Sequence, residues 1–149
     1  MPKKSSPTIA NRKWKERHKF FLNTYSDCAF TKCPKCDIKT KVRKFPLVIH
    51  IQPQQLFILN KQCKYCERCD LIIAKKQELE SLMTAGFIQS NPKIIGNDYM
   101  VMGTVDRKDW KEGNQNAIAP SEMLDRVYVF QDIWDFEVIP AGWYRSEDK

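Results

Sequence analysis

The clearest hydrophobic pattern in the chain lies between residues 45 and 59. Apolar residues occupy every second position at its start, namely Phe45, Leu47, Ile49 and Ile51. A strand places alternate residues on the same face, so this spacing predicts a strand with one buried side. Residues 52–55 are typical of a turn, and residues 56–59 begin a returning strand. The pattern therefore predicts a β-hairpin, which a third strand over 70–74 extends into a small sheet.

Helical spacing of apolar residues is found on both sides of this hairpin. Trp14, His18 and Phe21 recur at i, i+4 and i+7, which predicts a short helix over 12–22. An apolar stripe over 75–87 predicts a longer helix directly after the third strand. The residues before the first helix, 1–11, are expected to form a flexible tail.

The C-terminal third of the chain predicts a second group of elements. A strand over 99–105, with a bulge at Gly103, precedes a polar loop over 106–116. A helical face of apolar residues predicts a helix over 121–134, and residues 136–139 form a last short strand. Strand, helix and strand in this order indicate a small βαβ-like unit.

Composition indicates a folded protein without the common phosphate-binding loops. The 149 residues are 42% hydrophobic, which excludes a wholly disordered chain and suits one domain with or without a small module. The five glycines fit neither of the usual glycine-rich nucleotide-binding patterns. The longest apolar runs have four residues, and the basic N-terminus lacks an apolar signal segment. We therefore expect a cytoplasmic protein with no membrane partner.

Charge is distributed unevenly along the chain, whose formal net charge is +7. Residues 1–76 carry 18 of the 25 Lys and Arg residues but 5 of the 18 Asp and Glu residues. Residues 77–149 carry the remaining charges and are net acidic. A basic surface attracts polyanions, of which nucleic acid is the commonest. The two halves could equally neutralise each other within the fold, so the charge pattern leaves two interpretations open.

All six cysteines lie between residues 28 and 69, and most belong to pairs separated by two residues. They are Cys28, Cys33, Cys36, Cys63, Cys66 and Cys69. A disulfide scaffold would need an exported protein, because disulfides are rare in the cytosol. A Cys-x-x-Cys turn aims two sulfurs at one ion, and two such turns supply the four thiolates of a tetrahedral zinc site. The spacing therefore predicts bound Zn²⁺.

Two ligand sets are compatible with this spacing. The pairs Cys33–Cys36 and Cys66–Cys69 match in length, and an Asp follows each of them, so we predict that these four cysteines bind the zinc. The alternative set uses Cys63 with Cys66 as the second pair. Four thiolates leave no open coordination position, so the predicted zinc is structural rather than catalytic.

The two Cys-x-x-Cys knuckles, together with the strand over 70–74 after the second one, resemble the zinc-ribbon fold group. The resemblance covers residues 28–75, and the whole chain is similar to small bacterial proteins of zinc-ribbon type. The resemblance implies a four-cysteine zinc site on a small sheet. It implies no particular activity, because zinc ribbons occur in transcription and translation factors, in nucleic-acid enzymes and as structural staples.

These observations together predict three parts. A basic tail and short helix occupy 1–24, a zinc-ribbon module with its following helix occupies 25–90, and an acidic α/β unit over 91–149 packs on that module. The predicted fold class is α+β, with a three-stranded zinc-ribbon sheet and two cysteine knuckles, then a helix, then the βαβ-like unit.

Two classes of function are compatible with this organisation. The first is a nucleic-acid-binding module that contacts phosphates through six basic residues near the first knuckle: Lys32, Lys35, Lys39, Lys41, Arg43 and Lys44. The second is a protein–protein adaptor, in which zinc only stabilises the fold and the acidic unit contacts the partner. A thiol redox protein that uses Cys63 and a neighbouring cysteine is a weaker third interpretation. The sequence contains no recognisable catalytic motif and predicts no small-molecule substrate, so an enzyme is not favoured.

Overall fold

The computed structural model describes residues 15–115 and 120–136, and its main feature is a curled mixed sheet of eight strands. The strands are β1 Lys15–Glu16, β2 Lys19–Asn23, β3 Lys41–Ile51, β4 Gln55–Cys66, β5 Leu71–Lys75, β6 Tyr99–Thr104, β7 Tyr128–Val129 and β8 Asp132–Trp134. The helices are α1 Lys76–Phe87, α2 Arg107–Gln115 and α3 Pro120–Leu124, with one turn of 3-10 helix at Pro92–Ile94. The predicted tail over 1–11 and positions 137–139 of the predicted last strand lie outside the described residues.

The order of neighbouring strands in the sheet is β1-β7-β6-β3-β4-β5-β2-β8. β1 runs parallel to β7, and β2 runs parallel to β8. Two residues separate β1 from β2, so these strands belong to one continuous segment, and β7 and β8 likewise belong to another. The β1–β7 pair at one end of the order and the β2–β8 pair at the other end are therefore formed by the same two segments. The sheet therefore curls round until its two ends meet.

Strands β3 and β4 form the antiparallel hairpin that the alternating pattern predicts. Its pairing runs from Lys41 opposite Tyr65 to Ile51 opposite Gln55 at the turn. The alternating apolar residues of β3 are buried in the main core. Val48 points to the opposite face and is also fully buried, so both faces of this strand are covered. A strand that is covered on both faces belongs to the middle of a larger sheet, not to a small ribbon.

The predicted architecture is wrong, although the protein is α+β overall. A small three-stranded zinc ribbon followed by a separate βαβ-like unit is not what forms, because β3 pairs with β6 as well as with β4. The second pairing runs from Ile51 opposite Tyr99 to Leu47 opposite Thr104. An unpaired edge of β3 would leave backbone N–H and C=O groups without partners, and β6 satisfies them. The hairpin and the later elements therefore share one sheet.

The predicted helix over 12–22 is wrong for its described part, which forms β1 and β2. Phe20 and Phe21 are adjacent in the chain and both almost completely buried, but they lie in different cores. Phe20 stacks on Phe130 with ring centroids 4.6 Å apart, whereas Phe21 packs against Phe30 at 5.2 Å. Successive residues point to opposite faces only in a strand, so burial of both rings requires the extended conformation.

The predicted helix over 121–134 is also wrong, because helical structure ends with α3 and the chain continues as β7 and β8. Met123, Val127 and Phe130 are buried as the apolar pattern requires, but Tyr128 and Val129 pair with β6. Aromatic and β-branched residues favour a strand where a neighbouring strand offers a paired edge. In the preceding segment the predicted loop over 106–116 is largely the helix α2.

Helix α1 confirms the prediction over 75–87 and covers one side of the sheet. Its buried residues Leu79, Met83 and Phe87 recur at helical spacing and pack into the main core. Beneath the other side, Phe21, Leu71 and their neighbours form a second core that includes cysteine side chains. In the part of the chain that the structure describes, no helix combines the length and the apolar character needed to cross a membrane.

Gly103 lies where β7 comes closest to β6. The bulge predicted at this glycine is present beside it, because Val48 pairs with Gly103 whereas Ile49 pairs with Val101. A Cβ at Gly103 would overlap the backbone carbonyl of Tyr128. The close pairing of β6 with β7 therefore requires a residue without a side chain.

We expect Gly103→Ala to lower the free energy of unfolding by about 3 kcal/mol, because the β7 backbone must move away from the added methyl group. Gly86→Ala is the matched control. Its Cβ would meet the Phe57 ring at an ordinary contact distance of 3.6 Å, and the higher helix propensity of Ala should stabilise α1 by up to about 1 kcal/mol. Urea denaturation followed by circular dichroism compares the two variants. A Gly103→Ala protein as stable as the wild type would contradict this close β6–β7 pairing.

Candidate metal centre

Two turns carry the four cysteines of the predicted ligand set. Cys33 and Cys36 lie in the connection between β2 and β3, and Cys66 and Cys69 lie at the end of β4 and in the turn that leads to β5. In the first turn the Asp37 N–H donates to the Cys33 carbonyl at 2.8 Å. The first turn thus bends the backbone back within four residues, which brings the Cys33 and Cys36 sulfurs to the same side.

The residue after each cysteine pair adopts a left-handed backbone conformation. The φ angle is 66° at Asp37 and 57° at Asp70. Asp tolerates this region better than most residues with a side chain, because its short polar side chain can hydrogen-bond locally. The matching aspartates that the sequence places after the two pairs therefore mark the same backbone reversal in both turns.

The four sulfur atoms form a compact group with the dimensions of a metal site. All lie within 4.8 Å of one another. The Cys33 and Cys69 sulfurs are 3.9 Å apart, and the Cys36 and Cys66 sulfurs are 3.4 Å apart. A tetrahedron with Zn–S bonds of about 2.3 Å has edges of about 3.8 Å. The four cysteines thus fit a single zinc ion without rearrangement of the turns.

Backbone N–H groups are directed at two of these sulfurs. The Lys35 N–H lies 3.4 Å from Cys33 Sγ, and the Cys69 N–H lies 3.5 Å from Cys66 Sγ. Such donors stabilise negative charge on sulfur and orient the ligand, as expected for groups around a thiolate–metal centre. Both contacts belong to the turns themselves, so the same local sequence supplies the ligand and its supporting donor.

The group is buried on its inner side and reachable from outside. Cys33 and Cys66 are almost fully buried, whereas Cys36 and Cys69 are partly exposed. The buried pair belongs to the second core, with Phe21 and Phe30 among its members. The turns are therefore anchored on packed side chains, and an ion can still enter from the solvent side.

The thiols do not ionise equally without a cation. A hydrogen bond from the Ile38 backbone is the main cause that lowers the pKa of Cys36 to about 7. Burial is the main cause that raises the pKa of Cys69 to about 12, and hydrogen bonds with Cys36 and Cys33 raise it further. One thiolate is therefore accommodated readily, whereas further thiolates beside it need a compensating positive charge. A divalent cation supplies that charge.

Cys63, the alternative ligand, lies outside the four-cysteine group. Cys63 and Cys66 are three positions apart on β4, so their side chains point to opposite faces of the sheet. Cys63 is buried in the main core, its thiol donates to the Lys61 carbonyl, and burial raises its pKa to about 12. Cys28 is partly buried beside the second core and also lies outside the group. The alternation of side chains along β4 therefore places Cys63 away from the group and leaves Cys33, Cys36, Cys66 and Cys69 as the ligand set that the structure brings together.

The six predicted nucleic-acid contacts all lie on the surface around the first turn and the start of β3. They are Lys32, Lys35, Lys39, Lys41, Arg43 and Lys44. Lys32 and Lys39 are paired across the first cysteine turn. On β3, Lys41 and Arg43 share one face and Lys44 points to the other, because side chains alternate along a strand. Lys41 forms an exposed ion pair with Glu67 at 2.8 Å.

Next to the second turn lies a polar cluster that the sequence does not predict. The carboxylate of Asp70 accepts hydrogen bonds from His18 Nδ1 and from the Tyr65 hydroxyl, each at 2.5 Å. Burial opposes ionisation of Asp70, but these hydrogen bonds outweigh it and lower the pKa of its carboxyl group. Tyr65 and Asp70 lie five positions apart, but His18 lies 52 positions before Asp70, so no local pattern indicates that the three residues meet.

Comparison with known proteins adds no relationship, because no protein-family model, curated protein or solved structure matches the chain.

We expect Cys36→Ser to lose most of its bound zinc, because removal of one of four thiolates weakens a site whose apparent binding free energy is about 10–16 kcal/mol. The matched control is Cys63→Ser, which changes a cysteine on the other face of the sheet and should keep about one zinc per chain. Elemental analysis of the purified variants measures this difference. Equal loss of zinc from both variants would contradict the assignment of Cys36, and not Cys63, as a ligand.

Proposed function

We propose that the protein binds Zn²⁺ through Cys33, Cys36, Cys66 and Cys69, and that this ion is structural. The observation that carries the proposal is the group of four sulfurs within 4.8 Å of one another. An ion in this position would join the β2–β3 connection to the β4–β5 turn. With four protein ligands it would have no open position for a substrate.

We further propose that the zinc-supported surface binds nucleic acid. Lys32, Lys39 and Lys44 are exposed and form no ion pair within residues 15–115 and 120–136. Lys19 has a different role, because its ammonium group donates to the Cys69 carbonyl at 3.1 Å, where it would offset the negative charge of the thiolates. The basic residues around the first turn are thus available for phosphates and are not all consumed by the metal centre.

Binding of this kind would be mainly electrostatic. Lysine side chains on an exposed surface contact phosphates as point charges, and each contact releases counterions from the nucleic acid. We therefore expect affinity that falls steeply with salt and depends little on base sequence. A single-stranded RNA of mixed sequence is a suitable probe for this behaviour.

We expect the triple variant Lys32→Gln, Lys39→Gln, Lys44→Gln to reduce the log–log salt slope by roughly 0.7 for each phosphate that is no longer neutralised. The control variant Lys93→Gln, Lys108→Gln, Lys111→Gln removes the same charge from exposed positions elsewhere and should keep the wild-type slope. Fluorescence anisotropy with a labelled RNA between 50 and 200 mM salt, roughly the range over which such binding weakens, measures both slopes.

Equal slopes for the two triple variants would show that net charge, and not this surface, governs binding. If wild-type protein fails to bind at the lowest salt concentration, nucleic-acid binding is excluded and the adaptor function becomes the better proposal. Zinc content is measured on the same samples, so that loss of the metal is not mistaken for loss of the basic surface.

A further inference from the structure

Two strained backbone positions meet at the point where β1 passes into β2. His18 has a φ angle of 65° and Asp70 has one of 57°, and both are in the left-handed region that residues with side chains seldom adopt. The Lys19 N–H donates to the Asp70 carbonyl at 2.7 Å, which ties the two positions together. Residues held in such conformations cluster at functional sites, because the surrounding structure must stabilise them.

The side chains at these positions form an oriented Asp–His pair. Asp70 accepts a hydrogen bond from His18 Nδ1 at 2.5 Å, so the proton of the neutral ring is held on Nδ1. Nε2 then carries the lone pair and has no hydrogen-bond partner among the described residues. The same Asp70 oxygen accepts from the Tyr65 hydroxyl, which fixes the carboxylate from the other side. A general base needs a ring that is held in place through one nitrogen while the other nitrogen is free to accept a proton, and His18 meets this requirement.

A cationic group lies beside the same two aromatic rings as His18. The ring centroids of Phe45 and Tyr65 are 5.4 and 5.9 Å from that of His18. The Arg43 guanidinium carbon lies 4.9 Å from each of these two centroids, and its side chain is exposed. Lys41 projects from the same face of β3 as Arg43. The imidazole and a guanidinium group therefore lie against the same pair of rings, and 14% of the His18 side chain is exposed to solvent.

We propose that His18 is the general base of a site that cleaves RNA. Nε2 removes the proton of a ribose 2′-hydroxyl, the 2′-oxygen forms a bond to the adjacent phosphorus, and the bond from phosphorus to the 5′-oxygen breaks. The departing 5′-oxygen takes a proton from water, and the proton on His18 returns to solvent. Arg43 offsets the negative charge that builds up on the phosphate. The products are a 2′,3′-cyclic phosphate and a 5′-hydroxyl end.

RNA is the polymer that fits this chemistry because its backbone holds a hydroxyl group next to each phosphate, whereas DNA lacks one. The inference rests on the proposed nucleic-acid binding and specifies which nucleic acid is bound and what happens to it. Asp70 is a positioning residue in this scheme, since it acts through the imidazole and does not contact the substrate.

The experiment uses the zinc-loaded full chain and an end-labelled RNA of mixed sequence, with binding and cleavage measured on the same samples. We expect cleavage to 2′,3′-cyclic phosphate ends, and binding without cleavage of the same sequence with 2′-O-methyl riboses. His18→Gln should lower the cleavage rate at least about 100-fold, the usual contribution of a general base, with RNA affinity changed less than about threefold.

His50→Gln is the matched control, because it makes the same change at the other histidine of the chain, which lies on β3 outside this cluster. A purely structural role of the cluster predicts that His18→Gln loses RNA affinity and zinc together with cleavage, whereas a base at His18 predicts that cleavage alone is lost and that His50→Gln keeps the wild-type rate. Wild-type protein that binds RNA without cleaving it would overturn the inference and leave nucleic-acid binding intact. Cleavage by His18→Gln at the wild-type rate would also overturn it. If the wild-type protein does not bind RNA, the proposals of RNA cleavage and of nucleic-acid binding are both wrong.

Discussion

The insertion of β2 between β5 and β8 is the interaction on which the rest of the structure depends. This strand pairs on both of its edges, and it places Phe20 in the main core and Phe21 in the second core. Two rings of this size contribute several kcal/mol of hydrophobic free energy on burial, by the usual scaling of about 2–3 kcal/mol each. Without β2, both the α1 side and the cysteine side of the sheet would lose a central residue.

The cysteine turns and β2 support each other through short contacts. Lys19 bonds by its backbone to Asp70 and by its side chain to the Cys69 carbonyl, and Phe21 packs in the core that contains Cys33 and Cys66. A metal ion that fixes the second turn would therefore also fix the strand beside it. In this protein a structural ion would act on the closure of the whole sheet, beyond the knuckles that bind it.

Local patterns predicted the elements whose neighbours in the chain are also their neighbours in space. The β3–β4 hairpin, helix α1 and the grouping of the four cysteines all depend on spacing within short segments. The segments near 20 and 128 contain apolar residues that suit either a helical face or a strand, and pairing with distant strands decides between them. The meeting of His18 with Asp70, which lie 52 positions apart, depends on this pairing and has no local signal.

The parallel pairing of β2 with β8 has a consequence for synthesis on the ribosome. Lys19 aligns with Asp132, so the second edge of β2 cannot be covered until β8 has been translated. Until then the apolar strand β2 has one open side, which is the kind of surface that associates with other nascent chains. The cysteine turns and the β3–β4 hairpin are translated well before β8, so their own contacts can form while this edge of β2 is still open.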